Sequence, residues 1–176
     1  MNKVLLIIVG IVVILGLGFY ANNQFKVNRE KAAMKAQEDA SMKQKEKDAM
    51  IKEKENIMMM AQQDTSSKKA TLSDVSGGTG TGKAFVLRKG GKLYFTATAN
   101  LSDLKDGAFY EGWLAVKGAN PPKFVDTGKL TKQRDGSYEV SYSSDNLYEG
   151  YDFVVITWEQ VDDQKPEKHI LEGLAW

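Results

Sequence analysis

The sequence contains no cysteine, and it has only one histidine. Without cysteine the chain forms no disulfides and offers no thiolate nucleophile, no cysteine-type zinc site and no lipidated N-terminal cysteine. An excess of charge of either sign is also lacking, because 24 basic residues face 23 acidic ones and the formal net charge is +1. This balance gives no general attraction to nucleic acid. We therefore predict no nucleic-acid partner, and we predict no cofactor.

Residue sets for catalysis or metal binding are equally sparse. A Ser/His/Asp arrangement would have to use His169, and the sequence has no G-x-S-x-G motif around a serine. Glu159, Asp162 and Asp163 precede this histidine across a predicted hairpin, so that a carboxylate and imidazole metal site can be drawn. A polar turn that closes a hairpin is the simpler interpretation. We predict no catalytic residue, no metal ligand and no enzymatic activity.

A long uncharged segment lies near the N-terminus. Residues 4–20 are almost entirely apolar, and no charge occurs between Lys3 and Lys26. About 20 such residues are enough for a helix to cross the hydrocarbon core of a bilayer. We predict a transmembrane signal-anchor in residues 1–25. A cleaved signal peptide is the alternative, because two glycines lie close together near the end of the segment.

The orientation of this anchor depends on which charge pattern dominates. Four basic residues follow the apolar segment and outnumber Lys3, which by the positive-inside rule favours a cytoplasmic C-terminal side; they are Lys26, Arg29, Lys31 and Lys35. The short tail that carries Lys3 is instead typical of an export signal. We predict a single-pass protein of the cell membrane whose C-terminal domain is extracytoplasmic.

Residues 26–63 predict a charged helical stalk. They contain no glycine or proline and consist mainly of Lys, Glu, Ala, Met and Gln, which favour helices. Methionines recur every eight residues, at Met34, Met42, Met50 and Met58. A coiled coil needs a period near 3.5 residues, and an eight-residue repeat drifts around the helix by about 80° per repeat. We therefore predict a monomeric spacer helix.

Residues 64–82 have the composition of a flexible linker rich in Ser, Thr and Gly. Residues 77–83, at the end of this segment, match the phosphate-loop pattern GxxxxGK. The next residue is Ala84, which has no hydroxyl for Mg²⁺, and no hydrophobic strand precedes the glycines. We predict a connector and no phosphate site.

Residues 83–176 predict an all-β domain. Short β-prone segments recur at near-regular spacing, and turn signals separate them, among them Gly90-Gly91 and Asp135-Gly136. Leu93, Phe95 and Ala97 alternate with polar residues, as in a half-buried antiparallel strand. About seven antiparallel strands without a helix indicate a two-sheet β-sandwich of immunoglobulin-like architecture.

Four segments of this domain occur in one order: YEGWL at residues 110–114, VDTGKL at 125–130, VVITWE at 154–159, and a Lys-Pro at 165–166 followed by LEG at 171–173. In this order they resemble the extracytoplasmic C-terminal domain of the anti-sigma-K factor family. The resemblance implies a β-sandwich displayed outside the membrane. It does not extend to a sigma-binding domain, because only about three residues precede the anchor.

Five aromatic residues in the second half of the domain are the predicted ligand contacts: Tyr110, Trp113, Tyr148, Tyr151 and Trp158. Exposed rings stack on sugars or form the centre of a protein interface, whereas buried ones belong to the core. We predict a membrane-anchored display, sensor or protein-recognition module. The alternative is a cell-wall or glycan-binding surface protein that uses these rings, so the expected ligand on the outer face is a protein or a glycan.

Overall fold

In the computed structural model, the chain begins with one long helix. The structure describes the backbone of residues 3–105 and 107–176 and the side chains of residue 29 and of residues 31–105 and 107–176. Helix α1 covers Lys3–Gln63. The predicted anchor in residues 1–25 lies outside the residues with described side chains. Among the residues whose side chains the structure describes, no helix is long and apolar enough to cross a membrane.

The chain divides into two compact units, Met1–Met50 and Ile51–Trp176. In the first unit, every described side chain is exposed. Exposure of Met34, Met42 and Met50 agrees with a methionine stripe that winds around the helix. The monomeric state of the stalk stays a prediction.

The second unit consists of the end of α1 and nine strands. The strands are β1 Lys68–Asp74, β2 Thr81–Lys89, β3 Lys92–Asn100, β4 Phe109–Ala115, β5 Phe124–Lys129, β6 Thr131–Lys132, β7 Tyr138–Ser144, β8 Phe153–Glu159 and β9 Lys168–Leu174. All pair antiparallel in one sheet, in the order β5-β4-β8-β9-β1-β2-β3-β7-β6. The sheet is nearly closed, because β5 at one edge approaches β7 near the other.

The prediction of an antiparallel β-rich domain is confirmed. The predicted seven strands and their division into two sheets are not, because nine strands pair in one sheet. Two strands were not predicted, the short edge strand β6 and the strand β1. Neighbouring strands are hydrogen-bonded in a single order, so the outer strands of the sheet come together by curvature. The predicted Gly-Gly turn between β2 and β3 is present, and Gly90 and Gly91 both have the positive φ that such a turn requires.

The largest correction concerns the linker. Residues 68–74, within the predicted flexible segment 64–82, form β1 in the middle of the sheet, between β2 and β9. Ala70 and Leu72 alternate with polar residues and are buried in the core. A fragment that starts at residue 83 therefore lacks a central strand, and the compact unit begins at Ile51 instead.

The core lies inside the curved sheet and takes alternate residues from most strands. Its members include Leu72, Val86, Leu93, Phe95, Ala97, Tyr110, Leu114, Val140, Val154, Ile156 and Leu171. A second, smaller apolar contact lies outside the sheet. Leu87 and Thr96 point outward, yet both are fully buried, as is Ala61 near the end of α1, and Ile57 is only 6% exposed. We infer that the last turns of the helix cover this outward side.

Candidate functional site: an apolar groove with a basic rim

The five predicted aromatic residues do not form one exposed cluster. Trp113 and Tyr110 are only 1% and 6% exposed. The Tyr110 hydroxyl donates a hydrogen bond to the Ser102 carbonyl at 3.2 Å, and the Trp113 indole donates to the Thr157 hydroxyl at 2.8 Å. Trp158 is half-buried and packs against the core. Tyr110 and Trp113 therefore expose almost none of their ring surface to solvent.

Tyr148 and Tyr151 form a separate pair in the loop between β7 and β8. Their rings meet edge to face, with centroids 5.5 Å apart. Both are half-buried against the core. The Arg88 guanidinium holds the backbone of this loop by donating to the carbonyl oxygens of Leu147, Tyr148 and Tyr151. This tyrosine pair therefore closes one end of the sheet.

A different site lies on the outward face of β4 and β8. Residues 110, 112 and 114 of β4 face the core, so residues 111, 113 and 115 face outward. On β8 the outward residues are Phe153, Val155 and Thr157, which pair with those of β4. Trp113 and Val155 are buried although they point away from the core. Two loops rise beside them, residues 116–123 between β4 and β5 and residues 160–167 between β8 and β9.

Between these loops lies a groove of about 490 Å³. Its floor and walls are mainly apolar and include Trp113, Pro122, Phe124, Phe153, Val155 and Pro166. The rings of Trp113 and Phe124 meet at 88° with centroids 5.5 Å apart, which fixes one wall. A volume of this size falls within the usual range of small-molecule sites, about 300–1,000 Å³. The groove is thus large enough for a small ligand.

The rim of the groove is basic. Lys117 and Lys123 line it on one side, and Lys165 and His169 on the other, and no carboxylate is among the lining residues. The Lys117 ammonium lies 5.4 Å from the centre of the Phe153 ring. His169 Nδ1 lies 2.6 Å from Glu172 Oε1, so the histidine is already paired. In the described part of the chain, none of the three lysines has an ion-pair partner.

A buried carboxyl group borders the groove on the same face. Glu111 lies two residues before Trp113 on β4, on the same outward face, and it is 2% exposed. Burial raises its pKa to about 7, and the negative charges of Asp126, Glu159 and Asp162 add to the effect. Neutral and ionised forms of Glu111 therefore coexist near neutral pH.

The metal arrangement considered from sequence is not assembled. Glu159 is buried and accepts a hydrogen bond from the Glu167 amide at 3.0 Å. Asp162 pairs with Lys129 at 2.8 Å, and His169 pairs with Glu172. Among the residues that the structure describes, no group of three or more acidic or histidine side chains is placed to hold a metal ion.

The backbone amides of the glycine-rich loop after β1 bind a carboxylate of the same chain. The Asp74 carboxylate accepts hydrogen bonds from the amides of Ser76, Gly78 and Gly80, at 2.8, 2.8 and 3.1 Å. The Gly78 amide is the main cause that lowers the pKa of this carboxyl. In a phosphate loop such amides would point at the ligand. Here they are already occupied, which supports the expectation of no phosphate site.

Sequence reasoning missed most of the groove. The predicted ligand contacts include Trp113 but neither Phe124 nor Phe153, because they were limited to Tyr and Trp. A usable signal was the pair of lysines at 117 and 123, which flank the Pro-Pro turn between two strands. Both ends of a hairpin loop lie close together, so basic residues there meet in space.

Comparisons of the chain with known protein families, with curated proteins and with solved structures find no match.

Proposed function

We propose that this chain is a recognition module held at a membrane. In this proposal residues 1–25 anchor the chain, the exposed part of α1 is a spacer, and the unit Ile51–Trp176 binds a ligand in the groove. The observation that carries the proposal is the groove itself, a concave apolar site of about 490 Å³ with an aromatic floor on the outward face of β4 and β8. The module is proposed to act by binding and without catalysis.

The membrane part of the proposal is supported by the uncharged residues 4–20. The extracytoplasmic location is supported by the export-like tail and by the resemblance to the anti-sigma-K factor C-terminal domain. That relationship, and with it an immunoglobulin-like description of the fold, remains a proposal. Nothing in it depends on a sigma-binding activity.

The absence of cysteine makes the location simple to test. Single cysteines at exposed positions, Ser41→Cys in α1 and Thr79→Cys in the loop after β1, would be the only thiols in the chain. On intact cells, a membrane-impermeant maleimide should label both variants. Labelling that occurs only after the cells are broken would place the β domain in the cytoplasm and contradict the proposed location.

The groove is tested by filling it. Ala119 lines the groove, and an indole at this position in Ala119→Trp should occupy the space of a ligand. Thr79→Trp places the same side chain in an exposed loop and is the matched control. We expect a small-molecule library, screened by ligand-detected NMR against the full-length chain, to yield binders that A119W loses and T79W keeps. Binders that A119W retains would show that recognition uses another surface.

The glycan-binding alternative has less support than the groove. It relied on five aromatic rings, and Tyr110 and Trp113 are buried. Sugars stack on open ring faces, so the remaining three rings would have to supply the platform. An oligosaccharide array probed with the full-length chain separates the two functions, and binding there that is unaffected in A119W would favour the glycan reading.

A further inference from the structure

We infer that the groove binds a soluble anionic amphiphile, a small molecule with an apolar body and one anionic head group. This inference rests on the proposed function and names the chemical class of the ligand. It comes from two independent properties of the same site, the apolar floor and the uncompensated positive charge of the rim.

The apolar body is argued from the floor. Phe124, Phe153 and Val155 line the space together with one proline from each flanking loop, Pro122 and Pro166. Burial of such surface is the main source of affinity for a small ligand. A ligand that is polar throughout would lose water here without gaining hydrogen bonds.

The anionic head group is argued from the rim. Lys117 and Lys123 come from the loop between β4 and β5, whereas Lys165 comes from the loop between β8 and β9. Cations therefore stand on opposite sides of one opening, and no described carboxylate neutralises them within 4 Å. What distinguishes these lysines from other exposed lysines of the domain is that all three line one apolar concavity.

A soluble monomer suits the shape better than a lipid in a bilayer. The floor at Trp113 is 1% exposed and lies beneath the two loops. A single chain can enter this concavity, whereas a flat bilayer surface would touch only the rim. Lysine is a point charge that does not distinguish carboxylate from phosphate, so the class includes both head groups.

Photo-crosslinking of the full-length chain in phosphatidylcholine nanodiscs tests the inference. Four diazirine probes share one eight-carbon chain and differ in the head group: carboxylate, phosphate, alcohol or trimethylammonium. We expect the two anionic probes to label the peptides around residues 116–124 and 165–169, and the alcohol and the ammonium to label them about tenfold less. Free octanoate should compete with this labelling.

Charge variants identify the cause. The triple variant K117Q/K123Q/K165Q removes three exposed ammonium groups. Each exposed contact contributes about twofold to binding, so labelling should fall about tenfold. The matched control K83Q/K105Q/K168Q removes three exposed lysines that do not line the groove and should label as the wild type does. Thermal unfolding of both variants checks that the fold is retained.

Three outcomes overturn the inference in distinguishable ways. Equal labelling by the neutral or cationic probe would refute the anionic class and leave the groove as a binding site. Labelling that octanoate does not displace, and that anionic phosphatidylglycerol nanodiscs abolish, would point to a bilayer head group and refute the soluble ligand. If no probe labels the groove above the level in A119W, both the inference and the proposed function fail.

Discussion

At the scale of single residues, Arg88 makes the most contacts that join distant parts of the domain. Besides the hydrogen bonds to three loop carbonyls, its guanidinium donates a hydrogen bond to the Asp152 carboxylate at 2.7 Å. The same carboxylate accepts a hydrogen bond from the Lys68 ammonium at 2.5 Å. The side chains of Arg88 and Asp152 are 12% and 17% exposed. Burial opposes ionisation of Asp152, but the bonds from Lys68 and Arg88 prevail and lower its pKa.

Removal of this guanidinium should be costly. In Arg88→Ala, the Asp152 carboxylate loses a partner in a half-buried site and the loop carbonyls lose their donors, so the free energy of unfolding should fall by about 2–4 kcal/mol. The free energy of unfolding of Arg88→Lys should lie between those of the wild type and Arg88→Ala, because an ammonium cannot reproduce the planar, forked geometry of the guanidinium. Arg134→Ala, at an exposed position, is the control. Chemical denaturation measures the difference, and a loss in R88A no larger than in R134A would contradict this role.

Glu111 should make stability depend on pH near neutrality. Its pKa is raised to about 7 in the folded protein, from about 4.5 in an unfolded chain. The folded state therefore holds this proton more tightly, so the stability that Glu111 contributes is fully present below about pH 4.5 and is lost as pH rises from there through 7.

The variant Glu111→Gln removes this loss. Its stability relative to wild type should increase between about pH 4.5 and 7 and then level off, with a gain of up to about 3 kcal/mol. Denaturation curves at pH 4, 6 and 8 measure it. Glu46→Gln, an exposed carboxyl in α1, is the control. A difference between E111Q and wild type that stays the same at all three pH values would show that the carboxyl titrates normally.

At the scale of elements, the loop of residues 76–80 depends on one carboxylate. Asp74→Ala should free the amides of Gly78 and Gly80 and increase their hydrogen exchange, whereas Ser73→Ala on the same strand should not. Because the pKa of Asp74 is lowered, this order is present above about pH 4 and is lost only as pH falls through the lowered value. Unchanged exchange of both amides in D74A would mean that the loop orders itself without the carboxylate.

Strand β1, which precedes this loop, shows why the fold was predicted only in part from the sequence. The seven strands from β2 onward, apart from β6, were predictable because alternation and turn residues coincide there, as in Leu93, Phe95 and Ala97. Strand β1 also alternates, with Ala70 and Leu72 inward. Its two apolar residues were outweighed by the Ser, Thr and Gly on either side, which are typical of linkers. A short strand that is stabilised by both neighbours needs little intrinsic preference.

The candidate site was less predictable than the fold. Trp113 was predicted as a ligand contact and lines the groove, but sequence alone could not tell whether it faced the core, the solvent or a groove. Strand alternation gives two faces without saying what covers the outer one. The answer depends on the loops at 116–123 and 160–167, whose paths follow from tertiary contacts.

At the scale of the whole molecule, the boundary of the folding unit is the main revision. A fragment of residues 51–176 keeps β1 and the buried Ile57 and Ala61, so it should unfold cooperatively on heating. A fragment of residues 83–176 lacks the strand between β2 and β9 and should show no cooperative transition. Calorimetry compares the two, and equal transition temperatures would show that β1 is dispensable.

The pairing of β1 with β9 also sets the order of events during synthesis. Ser73 and Asp74 are made well before their partners Glu172 and Leu171. Contacts between such distant positions slow folding, and the sheet stays open at this seam until β9 has left the ribosome. A nascent chain arrested with β9 still in the exit tunnel should be digested by protease, and one with β9 released should resist; resistance of both would rule out late closure. Under the proposed extracytoplasmic location, a sheet that closes this late would still be open at the β1–β9 seam when the chain meets a translocation channel.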